Sequence, residues 1–206
     1  MEKIFGPSIT DLKFFRFKRF EFDNHLFLIA RSGWSKQGGF EIYVDNDEKG
    51  QNLFRELMNK GKDLNVRAGC PNAIERMEGG LLSYGNDMTI KDNVLECGFG
   101  GLVSFSDEID YLAKDHLKQL SSTGVKKSLT GIKIFSDAFT LLNHEPIFIN
   151  GDKVGELRSI VYSPSFKCCL GIAMIDMETQ DNKQKQIAVI ENNEYQIEIS
   201  PLPFNQ

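Results

Sequence analysis

The chain has 206 residues, 41% of them hydrophobic and 26% charged, a balance that supports one large or two small packed domains and excludes a disordered polar tail. Its 24 basic and 29 acidic side chains give a formal net charge of −5 without any block of like charge, so the electrostatic footprint of a nucleic-acid binder is missing. The longest apolar runs, such as Cys168 to Ile175, fall well short of the ~20 residues that cross a bilayer. Residues Met1 to Gly6 carry an acid at position 2 and no apolar signal core. The expectation is a cytoplasmic protein with no nucleic-acid or membrane partner.

Five phenylalanines fall between Phe14 and Phe22, interleaved with Arg16, Lys18 and Arg19. Phe15 and Phe17 share one phase and Phe20 and Phe22 the other, as in a core strand with one extra residue. A base-stacking platform has the same look, and the acidic whole speaks against it. Asp23-Asn24 supplies a turn to a partner strand over Leu26 to Ala30. From Phe40 to Val44 the alternation puts Phe40, Ile42 and Val44 on one face, and aims Glu41 and Tyr43 together from the other.

Leu53, Phe54, Leu57 and Met58 lie at helical spacing between about Lys49 and Lys60, with Asp47 near the start and Gly61 at the stop. Pro71 suits the first position of a short helix that Gly79-Gly80 ends after Glu78. A third helix is expected from Glu108 to Leu120. Ser121 to Gly124 is turn-rich and reads as a link. Six β-type runs follow, Thr130 to Phe135, Pro146 to Ile149, Val154 to Tyr162, Cys168 to Ile175, Gln186 to Glu191 and Tyr195 to Ile199, with a hairpin signal at Asn150-Gly151. The spacing predicts a small antiparallel barrel or sandwich. The chain thus reads as α+β, with mixed material over 1–125 and an all-β domain over 126–206.

Cys70, Cys97, Cys168 and Cys169 form no C-x-x-C pair and have no histidine at ligand spacing, so neither a metal site nor a disulfide framework is expected. Cys168 and Cys169 would face opposite sides of a strand and read as small buried hydrophobes. His25, His116 and His144 stand apart from any nucleophile motif. Gly98 to Gly101 lacks the endings of phosphate-binding loops and reads as turn glycines.

Two segments are more specific. Arg31-Ser32-Gly33-Trp34-Ser35-Lys36-Gln37-Gly38-Gly39-Phe40-Glu41-Ile42 resembles R-[ST]-G-[YW]-x-x-x-x-G-[FY]-E-[IL], and Arg76-Met77-Glu78-Gly79 through Tyr84-Gly85-Asn86-Asp87 resembles R-L-E-x-G-x-x-x-Y-G-x-D. Both are signatures of the folate-dependent aminomethyltransferases, the glycine-cleavage T-proteins and their relatives. Gly155 to Ser159, Tyr162-Ser163-Pro164 and Leu170 to Ala173 look like that family's T-S-G-x-x-S-P … G-x-A barrel stretch. The resemblance implies the latter part of a folate-binding domain followed by a β-barrel domain, with tetrahydrofolate as the cofactor.

Trp34 with the following Ser35-Lys36-Gln37, and Asn72 in place of an upstream Arg, depart from the glycine-cleavage pattern. They look closer to a branch that moves a methyl group from a small sulfonium to folate. The rivals are an aminomethyltransferase, which would need a lipoyl-protein partner, and a folate-binding remnant without activity. Family members are close to twice as long. The resemblance makes this chain a C-terminal portion, places the family's catalytic aspartate in a preceding part, and leaves a homodimer compatible with it.

A pterin edge carries two adjacent N–H donors that a carboxylate can accept in parallel. The resemblance gives that role to Glu41, with Tyr43 packing on the folate or hydrogen-bonding its carbonyl and Trp34 stacking on a ring or facing the sulfonium. Arg76 would meet a folate carboxylate or brace its helix against Glu75 or Glu78, and Tyr84 would lie near the ligand. By the resemblance, Arg158 and Tyr162 belong to a barrel loop that approaches the folate, and they are expected behind its direct contacts.

Overall fold

The computed structural model describes residues 1–33, 38–69, 73–137, 139, 141, 143–180 and 185–204. It divides into two compact units, Met1–Asn72 and Ala73–Gln206.

The first unit is a three-stranded antiparallel sheet with helices on one face. Strands β1 (Phe17–Phe22), β2 (His25–Ala30) and β3 (Glu41–Tyr43) follow in chain order. Asp23 and Asn24 both take left-handed backbone, φ 53° and 54°, as the tight turn between β1 and β2 requires. Helix α1 (Glu2–Phe5) and helix α2 (Asp47–Lys60) pack with the sheet. The α2 start is set by Asn46, whose side chain accepts the Lys49 N–H at 3.0 Å, and Gly61 follows its end. Phe5, Ile9, Phe20, Phe27, Ile29 and Leu53 form the core, with Phe40, Ile42 and Leu57 against it.

The phenylalanine run corrects the sequence reading. No extra residue interrupts β1, whose register against β2 runs unbroken from Phe17↔Ala30 to Phe22↔His25. The phase change arises before the strand, where Phe15 takes φ 56° and donates its N–H to the Arg31 carbonyl at 2.9 Å. Only Phe20 and Phe22 turn to the core, while Phe14, Phe15 and Phe17 are exposed.

In the second unit, helix α3 (Ala73–Glu78) ends at the glycines as expected, with Gly80 at φ 62°. Pro71 lies outside the described residues. Helix α4 spans Lys114–Thr123, later than the sequence suggested. Ala113 in left-handed backbone breaks the pattern, and Lys114 Nζ donates to the Ser106 and Ile109 carbonyls, holding the preceding segment as turns.

Strands β4 (Lys127–Ile134), β5 (Glu145–Ile149), β6 (Asp152–Ser163), β7 (Cys168–Asp176), β8 (Gln186–Ile190) and β9 (Asn193–Ser200) close a barrel in the order β4-β7-β6-β5-β8-β9, with a short helix α5 (Met177–Gln180) after β7. Closure removes free strand edges. Ile132, Ile134, Ile147, Leu157, Ala173, Ile175, Ile190 and Ile197 fill the interior. Cys169 joins that interior, while Cys168, on the opposite face, packs with Leu170 and Phe204. Burial raises the pKa of both thiols and of the buried Cys97. Among the described residues no group of three His, Cys, Asp or Glu side chains is placed to hold a metal ion, and no helix is long and apolar enough to cross a membrane.

Candidate functional site

The first unit presents Glu41 and Tyr43 from β3. Register against β2 pairs Ala30 with Glu41, Ile29 with Ile42 and Leu28 with Tyr43. Ile42 therefore turns to the core, and Glu41 and Tyr43 share the other face, both exposed. The pairing continues through Ala30 to Phe17 and through Leu28 to Arg19. The carboxylate thus stands on a face that also carries an apolar row. Ser32 Oγ donates a hydrogen bond to Glu41 Oε2. The Arg31 guanidinium lies 4.7 Å from the centroid of the Phe40 ring, which fixes the strand entry. Glu41 retains lone pairs for an incoming donor, so its position fits a planar edge with two N–H groups. Trp34 lies outside the described residues.

The second unit gathers the other motif around the barrel wall. Arg76 is buried and its Nη1 lies 2.9 Å from Asp87 Oδ2, with Asp87 fully buried. The same Nη1 donates to the Leu81 carbonyl at 3.1 Å. Asp87 also accepts the Ser83 N–H at 2.6 Å and the Ser159 hydroxyl. Arg76 therefore has a buried carboxylate partner that spacing alone did not single out. The sign of that partnership was present in the second motif, which ends on Asp87. Tyr84 sits on the turn before Gly85, 70% exposed. Tyr162 packs on the barrel interior.

Beside this network lies a cleft of about 630 Å³ lined by Arg76, Asn86, His144, Arg158, Ser159 and Ile160, together with Leu141 and Asn143. Arg158 reaches it through a β-bulge. Leu157 pairs with Ala173 and Ser159 with Ile172, which leaves Arg158 as the extra residue of β6. Its guanidinium lies 3.4 Å from both Asp92 oxygens, and Nε stands 2.8 Å from Glu156 Oε1. His144 bridges to the Asn86 carbonyl at 2.8 Å and to Glu156 at 3.3 Å. Burial alone would raise the Asp92 carboxyl. The Thr89 N–H, the Arg158 charge, the Thr89 hydroxyl and Lys127 outweigh it, and Asp92 titrates below its ordinary value. His144 and Asp92 carried no motif and were not legible as site residues.

The family model described as the GCVT N-terminal domain matches residues 1–107, and that of the glycine cleavage T-protein C-terminal barrel domain matches residues 127–205. The chain belongs to the glycine cleavage T-protein family. It is 43% identical over 176 residues to the dimethylsulfoniopropionate demethylase DmdA of Ruegeria pomeroyi, covering 85% of this chain and 48% of that protein. It is 28% identical over 208 residues to the aminomethyltransferase of Bacillus cereus strain B4264, covering 99% of this chain and 56% of that protein. The solved glycine cleavage system aminomethyltransferase T of Bartonella henselae shares the fold with a TM-score of 0.80 at 19% identity, over 95% of this chain and 53% of that one. The chain spans about half the length of the curated relatives it matches.

Proposed function

We propose that the chain is part of a tetrahydrofolate-dependent methyltransferase that demethylates dimethylsulfoniopropionate in the cytoplasm. Residues 1–125 would belong to its folate-binding domain and 126–206 to its barrel domain. The observation that carries the reading is the 43% identity to a dimethylsulfoniopropionate demethylase across both domains. The exposed Glu41 carboxylate, braced by Ser32 beside Tyr43, supports it as a grip for a pterin edge.

Folate when bound supplies an amine nitrogen as methyl acceptor. With folate held there, a methyl group would pass from the sulfonium to that nitrogen, the C–S electron pair staying on sulfur as the thioether of methylmercaptopropionate and the amine proton passing to solvent. A sulfonium is already a good leaving group, so the protein's task is to position the two reactants in line and exclude water. Glu41 and Tyr43 would orient the acceptor ring. Trp34 is proposed to stack on that ring or face the sulfonium, and Tyr84 to lie near the ligand. The group beside the reacting nitrogen is expected from a part of the protein that precedes these residues.

A second reading, an aminomethyltransferase of glycine cleavage, is favoured by the broader 99% coverage of the Bacillus cereus relative. Anaerobic calorimetric titration of the chain with tetrahydrofolate, followed by mass spectrometric assay of methylated folate with dimethylsulfoniopropionate in the longest form of the protein, tests the first reading. Micromolar folate binding and sulfonium-dependent methylation are expected. Turnover that depends on an aminomethyl-lipoyl protein and ignores the sulfonium would overturn it.

A further inference from the structure

The barrel cleft is lined mainly by donors, and one part-exposed acid, Glu156, pairs with two of them, His144 and Arg158. The charged side chains that line it are the guanidiniums of Arg76 and Arg158, joined by the His144 imidazole, the Asn86 and Asn143 amides and the Ser159 hydroxyl, with no carboxylate among the described lining residues. Asp87 and Asp92 are 0% and 1% exposed and contact those guanidiniums from the interior side of the wall.

Arg158 is the less satisfied of the two. Its side chain is 10% exposed, and its contacts to Asp92 are long at 3.4 Å. Its buried Nε–H, although 2.8 Å from Glu156, is not aligned with it as a hydrogen bond. One buried N–H, Nε, lacks an aligned acceptor and the terminal nitrogens hold Asp92 only at long range, so a carboxylate bound at those terminal nitrogens would strengthen the hydrogen bonding of the guanidinium. The bulge that projects Arg158 from β6 is itself a device for aiming one side chain.

Arg158 and Ile160 both line the cleft, which thereby holds a planar donor fork and an apolar wall side by side. That pair suits a short ligand with a carboxylate at one end and an aliphatic stretch behind it.

We propose that the barrel cleft is a carboxylate-binding site in which Arg158, supported by Arg76, receives the carboxylate of a small ligand and Ile160 packs on its aliphatic stretch. The choice of probes rests on the functional reading above; the site does not.

The experiment follows the Arg158 Nε–H resonance in the 15N-labelled chain, assigned by its loss in Arg158→Lys. The probes are 3-(methylthio)propionate, dimethylsulfoniopropionate, tetrahydrofolate and, as the neutral control, the methyl ester of the first. A saturable shift with at least one carboxylate is expected, with affinity at least about tenfold above the ester's. A response to the two propionates assigns the carboxylate to the sulfonium and its product, and a response to tetrahydrofolate alone assigns it to the glutamate of folate. Arg158→Thr should weaken the effective probe by about tenfold, and the wild-type titration stands even where that variant folds poorly.

No saturable shift with any probe, or an equal response to the ester, overturns the proposal. Quenching of the single tryptophan by tetrahydrofolate without any Arg158 response would sink this site and leave the folate reading standing. A carboxylate response without folate binding would do the reverse.

Discussion

Ser163 donates its hydroxyl hydrogen to Glu78 at 2.6 Å, and four residues earlier on the same face of β6 Ser159 does the same to Asp87. Two motifs far apart in the chain are thus one object. The serines of the barrel stretch receive the acids of the R-M-E-G-G … Y-G-x-D segment, clasping α3 and its following turn to the barrel wall. The clasp is sealed by the Arg76–Asp87 pair, whose carboxylate is fully buried.

Breaking that pair should therefore cost stability. Asp87→Ala leaves a buried guanidinium uncompensated and is expected to destabilise the chain by about 3–5 kcal/mol, read as a shift in the midpoint of urea unfolding. Arg76→Lys should not match wild-type stability, because an ammonium is more strongly hydrated than a guanidinium and sits on a shorter side chain, which makes it the poorer partner for the buried Asp87.

Glu41→Gln is expected to behave in the opposite way. The side chain is exposed, so thermal unfolding should change by less than about 0.5 kcal/mol. Tetrahydrofolate affinity should fall about tenfold, since a charged acceptor is replaced by a neutral one with a misplaced donor. Calorimetry on both proteins decides it, and unchanged affinity in a folded variant would remove Glu41 from the folate site.

Acid stability should report on Asp92. Its folded pKa lies below the ordinary 3.8, so its contribution is complete above that value and is lost as pH falls through the lower folded one. Asp92→Asn should lower stability at neutral pH and flatten the acid limb of the profile. Asp23 and Asp63 are also lowered, each mainly by its hydrogen bond to a lysine at the surface, and high salt screens those exposed pairs. Urea midpoints measured between pH 7 and pH 3 in high salt check the difference.

Cys97, Cys168 and Cys169 should resist an aromatic disulfide reagent in the native protein and react at once in denaturant. Each is at most 6% exposed, and burial holds each thiol protonated. Rapid native labelling of any of the three, located by peptide mass, would contradict the packing.

Gly155→Ala should destabilise the barrel by about 1–3 kcal/mol or more. An added Cβ would stand 2.3 Å from the Met174 carbonyl oxygen, a backbone atom of the adjacent strand that cannot retreat. The check is the thermal midpoint of this variant against Gly151→Ala, where open space leaves only the backbone strain of a positive φ.

All six barrel strands were visible from periodicity and turn residues, because a side-chain period of two and left-handed turn positions such as Asn150-Gly151 are local properties of a chain. The same locality placed Glu41 and Tyr43 on one face. Where conformation turned on a single backbone angle the sequence misled. Phe15 and Ala113, both at positive φ, displaced the start of β1 and of α4, and neither residue type announces that geometry. Partnership was hidden for a different reason. Asp87, Ser159, Asp92 and Arg158 lie up to 72 positions apart, and only closure of the barrel, with a bulge that shifts β6 by one residue, brings them together. Composition and short-range pattern determined the elements and the family; burial of charge and the aim of each polar side chain came only from how those elements pack.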